Sequence, residues 1–188
     1  MAEGSVDDLR RARRVMVFGA TGAGTTTLGA RLGQTLGLTA VVADDFYWDA
    51  HWTRPTRDEQ DRRLTAALSG ADYVIDSVYC FHNAEALAAV DVVVALDYPR
   101  WVSLWRVTRR TIRRLLTRER WGNGNVDTLR TAFGDDSPIR WNLRKWRSKH
   151  DRMRRWHADP STVPVLLLTH PRQAEQLVQD LSGTLTRV

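Results

Sequence analysis

The sequence predicts an α/β fold with a parallel sheet, and three observations predict it. Short apolar runs at 15–18, 38–43, 73–75, 92–96 and 163–168 alternate with helical patterns. The first run meets a glycine-rich turn that opens into Leu28, Leu32 and Leu36 at helical spacing. Acids follow the runs at Asp44, Asp76 and Asp97, where open α/β sheets place ligands at the carboxyl ends of strands. A chain of 188 residues buries roughly 70% of its unfolded surface, enough for one core.

Residues 1–14 form a polar leader ending in Arg10, Arg11, Arg13 and Arg14, expected to be frayed or weakly helical. The leader lacks the apolar segment of a secretory signal, and no run approaches the roughly 20 apolar residues of a membrane span. Cys80 is the only cysteine, so no intrachain disulfide is possible. These features suit a soluble protein of the reducing cytoplasm. The first strand, 15–18, is short and apolar, as a buried parallel strand is. A helix over 25–36 follows its loop, and Gly37 can cap it. Strand 38–43 ends in Asp44-Asp45-Phe46-Tyr47-Trp48, and an aromatic, charged loop follows. Thr56 and Glu59 have capping-box spacing for a helix reaching about Leu68. Strand 73–75 runs into Asp76 and Ser77, a short helix is expected over 84–89, and strand 92–96 closes on Asp97-Tyr98-Pro99.

A helix over 100–116 leads into the most turn-rich stretch, which holds Gly122, Asn123, Gly124, Asn125, Gly134, Asp135, Asp136 and Pro138. That stretch reads as a mobile flap. Asp136 or Ser137 can cap the next helix, 139–157, and strand 163–168 and helix 173–181 finish the chain. The expected organisation is one domain over 15–188, with a lid over about 113–138.

The loop carries the chemistry. Gly19-x-x-x-x-Gly24-x-Thr26 fits the phosphate-binding template G-x-x-x-x-G-K-[ST] except at Thr25, which stands where the lysine belongs. Backbone N–H groups from Gly22 to Thr26, at a helix N-terminus, can hold phosphate oxygens. Gly19, Ala20, Thr21, Gly22, Ala23, Gly24, Thr25, Thr26 and Thr27 are therefore the candidate nucleotide-binding residues. Thr26 falls at the Mg²⁺-binding hydroxyl position, and Asp76, ending an apolar strand, can hold the metal through water. Asp44 or its neighbour Asp45 can orient a substrate hydroxyl, and Asp44 is favoured. Thr25 can donate a hydrogen bond but carries no charge. The two lysines, Lys145 and Lys149, lie far along the sequence, so arginine is the expected substitute.

Residues 100–156 hold seventeen Arg or Lys against five acids, within a net charge of +6. This is either a solvated basic face or a surface turned towards an anion. Arg106 and Arg110 share a helical face, with Arg113 and Arg114 a turn on. Arginines leading into a flap can bring charge to a transferring phosphate. The five histidines show no metal-ligand spacing. Trp101 and Trp105 are expected to pack inward together, and Trp48 and Trp52 to lie near a bound ring.

These residues, with Trp121-Gly122-Asn123-Gly124-Asn125 and Ser137-x-x-x-Trp141, resemble the P-loop nucleotide and small-molecule kinases. Within them they look most like the bacterial "topology modulation" adenylate-kinase-like proteins. The resemblance spans about 15–181. It implies a P-loop NTPase three-layer α/β sandwich, with a five-stranded parallel sheet in order 2-3-1-4-5 and a lid after strand 4. It implies a Walker B role for Asp76 and acceptor contact for Asp44. It also implies that Arg106 stacks on adenine, that Arg110 contacts phosphate, and that Thr169-His170-Pro171 lies beside the base.

The leading expectation is an ATP/Mg²⁺-dependent kinase of a nucleotide or another small hydroxyl-bearing molecule, with Arg110 and Arg113 neutralising the transferred group. It uses ATP or another NTP and Mg²⁺, and acts as a monomer or homodimer. The alternatives are a nucleotide-binding regulator without turnover, which Thr25 suggests, and a nucleic-acid binder using the basic region.

Overall fold

The computed structural model describes residues 3–70, 72–76, 87–135 and 137–185, with the side chains of 184 and 185 left out. Ser77, Cys80, His82, Asp136 and the first half of the expected helix at 84–89 lie outside the described residues. The elements are α1 (Val6–Arg11), β1 (Arg14–Gly19), α2 (Thr25–Leu36), β2 (Thr39–Val42), α3 (Asp44–Tyr47), α4 (Arg57–Ala67), β3 (Tyr73–Asp76) and β4 (Val92–Leu96). They continue as α5 (Arg100–Thr117), β5 (Arg120–Trp121), β6 (Asn125–Val126), α6 (Leu129–Phe133), α7 (Pro138–Ala158), β7 (Val165–Leu168) and α8 (Pro171–Leu185).

Five parallel strands make the main sheet in the order β2-β3-β1-β4-β7, which is the expected order with β7 as the fifth strand. β1 is central because it is apolar on both faces. Alternate residues feed two cores, so the molecule has three layers. Val15 and Val17 meet Leu28 and Leu32 of α2 and Leu177 and Leu181 of α8 on one face. Met16 and Phe18 meet Leu64 of α4 and Met153 and Trp156 of α7 on the other.

The leader differs from expectation. Ser5 and Asp8 form a reciprocal capping box, and the short helix they start buries Leu9 completely. Gly4 N–H donates to the Val165 carbonyl at 3.0 Å and Arg10 to the Asp180 carbonyl at 3.0 Å, so the leader is tied to β7 and α8. One buried leucine and a cap outweigh the run of arginines, which stay on the outer side.

Trp101 and Trp105 also differ. They are 71% and 64% exposed, because α5 turns Val102, Ser103, Val107 and Thr111 inward instead. The inward stripe is half polar, which is why the larger apolar side chains misled the sequence reading. The turn-rich stretch is a small antiparallel hairpin, β5–β6, whose turn residues Gly122, Asn123 and Gly124 all have positive φ.

Candidate active site

The loop between β1 and α2 lies at the carboxyl end of the sheet, and its conformation depends on glycine at two places. Gly22 has φ +88°, and a Cβ there would stand 2.3 Å from the Ser103 carbonyl oxygen of α5. Gly24, at φ +101°, caps α2 in the left-handed region. Ala23 N–H donates to the Ala20 carbonyl at 2.9 Å, closing the turn. Buried Asn142 of α7 braces the loop from outside, donating to the Thr21 carbonyl at 2.7 Å and to Ser103 Oγ at 3.0 Å.

The two acids and the hydroxyl converge beneath this loop. Thr26 Oγ1 donates to Asp76 Oδ2, while Asp76 Oδ1 accepts the Ala43 N–H at 2.7 Å. Burial raises the pKa of Asp76, against the two hydrogen bonds that favour its charge. Asp44 is half-buried at the start of α3. Burial raises its pKa too, with the Asp76 charge adding to it and Arg110 and Lys149 opposing it. Asp45 is exposed, its Oδ1 on the side of the β5–β6 turn, 3.8 Å from where a Cβ on Gly122 would stand.

Two helices bring positive charge. From α5, Arg106 donates to the Ala23 carbonyl at 3.0 Å, its guanidinium 5.8 Å from the Tyr98 ring centre. Arg110, one turn on, acts on the Asp44 charge. Arg113 is not brought to the cleft: it is exposed and paired with Glu119 at 2.8 Å. From α7, Lys149 donates to the Gly19 carbonyl at 2.8 Å, its ammonium 5.2 Å from the Phe18 ring centre. Burial lowers its pKa to about 8; Asp44 and Asp76 act in the opposite sense. Sequence reasoning passed over this lysine because of its distance in sequence from the loop. The signal was available: Asn142, Trp146, Lys149, Met153 and Trp156 follow helical spacing, and only the lysine is charged.

α7 is held in place next to Lys149. Asp97, buried at the end of β4, accepts from Arg154 Nε at 2.9 Å and is bonded to His150 Nδ1. The His150 ring stacks on Trp146 at 4.8 Å, and Trp146 Nε1 donates to the Tyr98 carbonyl at 3.3 Å.

On the far side of Asp44, the β5–β6 hairpin clasps the loop after β2. Asn123 Nδ2 donates to the Trp48 carbonyl at 2.5 Å, and Asn125 Nδ2 to the Asp49 carbonyl at 3.1 Å. Trp52 N–H returns a bond to Asn125 Oδ1 at 2.9 Å. Trp48, Trp52 and Trp121 join edge to face, at 5.5 and 5.1 Å. Trp48 and Trp52 therefore tie the hairpin to this loop.

A cleft of about 300 Å³ opens beside the loop, bounded by Gly24, Tyr98, Arg106, Arg110 and Pro171. The cleft and its surroundings suit a nucleotide with Mg²⁺: a glycine loop at a helix start and two guanidinium groups line it, and the Thr26–Asp76 hydroxyl–carboxylate pair lies at the first turn of α2. Among the described residues no cluster of three His, Cys, Asp or Glu side chains is placed to hold a metal unaided. No described helix is long and apolar enough to cross a membrane.

No family model matches the chain. The protein YqaC of Bacillus subtilis (strain 168), itself uncharacterized, is 27% identical over 104 residues. That match covers 54% of this chain and 58% of YqaC, so the chain matches little more than half of that relative. Among solved structures, the shikimate kinase from Acinetobacter baumannii in complex with shikimate aligns at a TM-score of 0.53 and 18% identity, over 97% of each chain. A shikimate kinase from Bacteroides thetaiotaomicron aligns at 0.50 and 18% identity, over 93% of this chain and 99% of its own. A sugar kinase from Janibacter sp. HTCC2649 aligns at 0.50 and 17% identity, over 93% of this chain and 94% of its own. At such identities the likeness defines a fold: this chain has the P-loop kinase fold.

Proposed function

We propose that the chain is an ATP- and Mg²⁺-dependent phosphotransferase acting on a nucleotide or another small hydroxyl-bearing molecule. The observation that carries this reading is the grouping around the glycine loop: Arg106 and Arg110 line the cleft beside it, Thr26 at the start of α2 bonds Asp76, and Asp44 lies within electrostatic reach of both Asp76 and Arg110. The loop amides of Gly22 and of Gly24, Thr25 and Thr26, with Ala20, Thr21 and Thr27 around them, bind the phosphates, while the Ala23 amide closes the turn. Thr26 and Asp76 hold Mg²⁺, which supplies electrostatic neutralisation of phosphate charge. Arg106 flanks the base and Arg110 meets the transferred group. Arg113 joins them only if the lid closes further. Asp44 orients the acceptor hydroxyl and takes its proton, and a raised pKa suits a base working near neutrality. The resemblance to the "topology modulation" proteins supports the same assignment. Residues of the 113–138 stretch, latched to the loop carrying Asp44, serve as the lid.

Calorimetric titration with ATP, with and without Mg²⁺, tests the site. Binding that Mg²⁺ strengthens in the natural protein, but not in Asp76→Asn, is the expected result. Binding indifferent to Mg²⁺ in both would contradict it.

Thr25 favours a second reading, a nucleotide-binding regulator without turnover. The two readings part on transfer to an acceptor panel of nucleosides, nucleoside monophosphates, shikimate and hexoses. The panel is chosen because the neighbouring folds include shikimate and sugar kinases.

A further inference from the structure

We propose that Lys149, delivered from α7, takes the place of the lysine missing at position 25 and binds the terminal phosphates of the nucleotide. The inference rests on the phosphotransferase reading and deepens it.

A buried ammonium group is costly unless something compensates its charge. Lys149 sits on the inward seam of α7 with Trp146, Met153 and Trp156, its ammonium over the Phe18 ring, with the half-buried Arg152 one turn on at 6.0 Å from the same ring. Its bond to the Gly19 carbonyl, at 2.8 Å, fixes the ammonium at the first residue of the phosphate loop. Asp44 and Asp76 face it electrostatically from α3 and β3, and Arg152 acts on it from its own helix. A lysine rooted in α2 would reach this region from the other side of the loop. Thr25 instead turns its methyl towards Gly19, with Cγ2 3.2 Å from where a Cβ on that glycine would stand.

The placement also explains the bracing of α7. Asn142 bonds the loop itself, and the Asp97–His150 contact and the Trp146–Tyr98 bond pin the helix to the end of β4. Those contacts flank Lys149 on both sides along the helix. They hold a long side chain at a fixed position, as phosphate recognition by a point charge requires.

The test compares ATP, ADP and AMP affinities of the full chain carrying Lys149→Met, Thr25→Lys or both. Loss of a charge-assisted contact to the terminal phosphates should weaken ATP more than ~10-fold and leave AMP within about twofold. The double variant should recover ATP binding to within about threefold of the natural protein. Equal weakening of ATP and AMP, or none, overturns the proposal, because a lysine that only props up the fold does not discriminate by phosphate number.

Should Lys149→Met fail to fold, an acyl-phosphate derivative of ATP, which acylates lysines beside the terminal phosphate, is applied to the natural protein. Acylation of Lys149, prevented by ATP, is the expected result; acylation of Lys145 or of neither lysine overturns the assignment. If the natural protein binds no nucleotide, the phosphotransferase reading fails. If it binds ATP but Lys149 is indifferent to phosphate number, only this inference fails.

Discussion

Burial makes Asp44 and Asp76 costly to ionise, and the Asp76 charge adds to the cost at Asp44, the pattern expected of carboxyl groups kept for a task. Their folded pKa values lie above the unfolded ones, so between the two values the folded state binds more protons. Stability contributed by these groups is therefore lost as pH rises through that window and regained as pH falls. Asp44→Asn should raise Tm at pH 7 by a few degrees, since ~1 kcal/mol is worth roughly 2–4 °C for a chain of this size. The gain should shrink towards pH 4, and a pH series of thermal melts checks both signs. The same substitution should cut phosphoryl transfer by roughly 10²–10⁴ if Asp44 is the base. Gly22→Ala should cost more than ~2 kcal/mol, because it adds a left-handed alanine to a 2.3 Å clash with Ser103. Denaturant melts measure it, and a loss under ~0.5 kcal/mol would contradict the described loop.

At the scale of elements, α7 and the β5–β6 hairpin position the site more than composition suggested. Helix α7 was legible from its cap and period, and its span matches the expected one within a residue at each end. Its role was not, because arginines dominate its sequence while the seam of Asn142, Trp146 and Lys149 does the positioning. Charge counts report the solvated side of a helix, whereas which residue faces a distant loop depends on crossovers no local pattern encodes. Trp101 and Trp105 failed for a related reason: size was taken for burial, and the inward stripe of α5 is Val102, Ser103, Val107 and Thr111. Asn142→Leu should cost about 1–3 kcal/mol by orphaning the Thr21 carbonyl and Ser103 hydroxyl, and should weaken nucleotide binding with it. Asn125→Ala breaks three bonds between and within the hairpin and the loop after β2. It should raise the KM for the acceptor several-fold while leaving ATP affinity within about twofold, a split that steady-state kinetics resolves.

Over the whole molecule, the strands and the phosphate loop were readable because each rests on local signals, apolar runs, turn glycines and strand-end acids, whereas the strand order was implied by the family resemblance. The convergence of α5 and α7 on that loop, and of the hairpin on the loop after β2, is a product of the long connections after β4, and the sequence names their residues without their distances. An arginine was the expected substitute for Thr25; Arg106 reaches the Ala23 carbonyl, and Lys149, set aside for its distance in sequence, reaches the Gly19 carbonyl. The net charge of +6 goes with the basic stretch at 100–156. Binding to an RNA or DNA oligonucleotide should be weak and fall steeply between 50 and 200 mM salt, the non-specific behaviour of a basic surface.

The central claim is that this fold moves a phosphoryl group. The most direct measurement incubates the natural protein with γ-labelled ATP, Mg²⁺ and the acceptor panel, and follows the label. The account predicts transfer to one acceptor class, lost in Asp44→Asn and Asp76→Asn. Label that stays on ATP with every acceptor, in a protein that binds ATP, would contradict it and leave the regulator reading in its place.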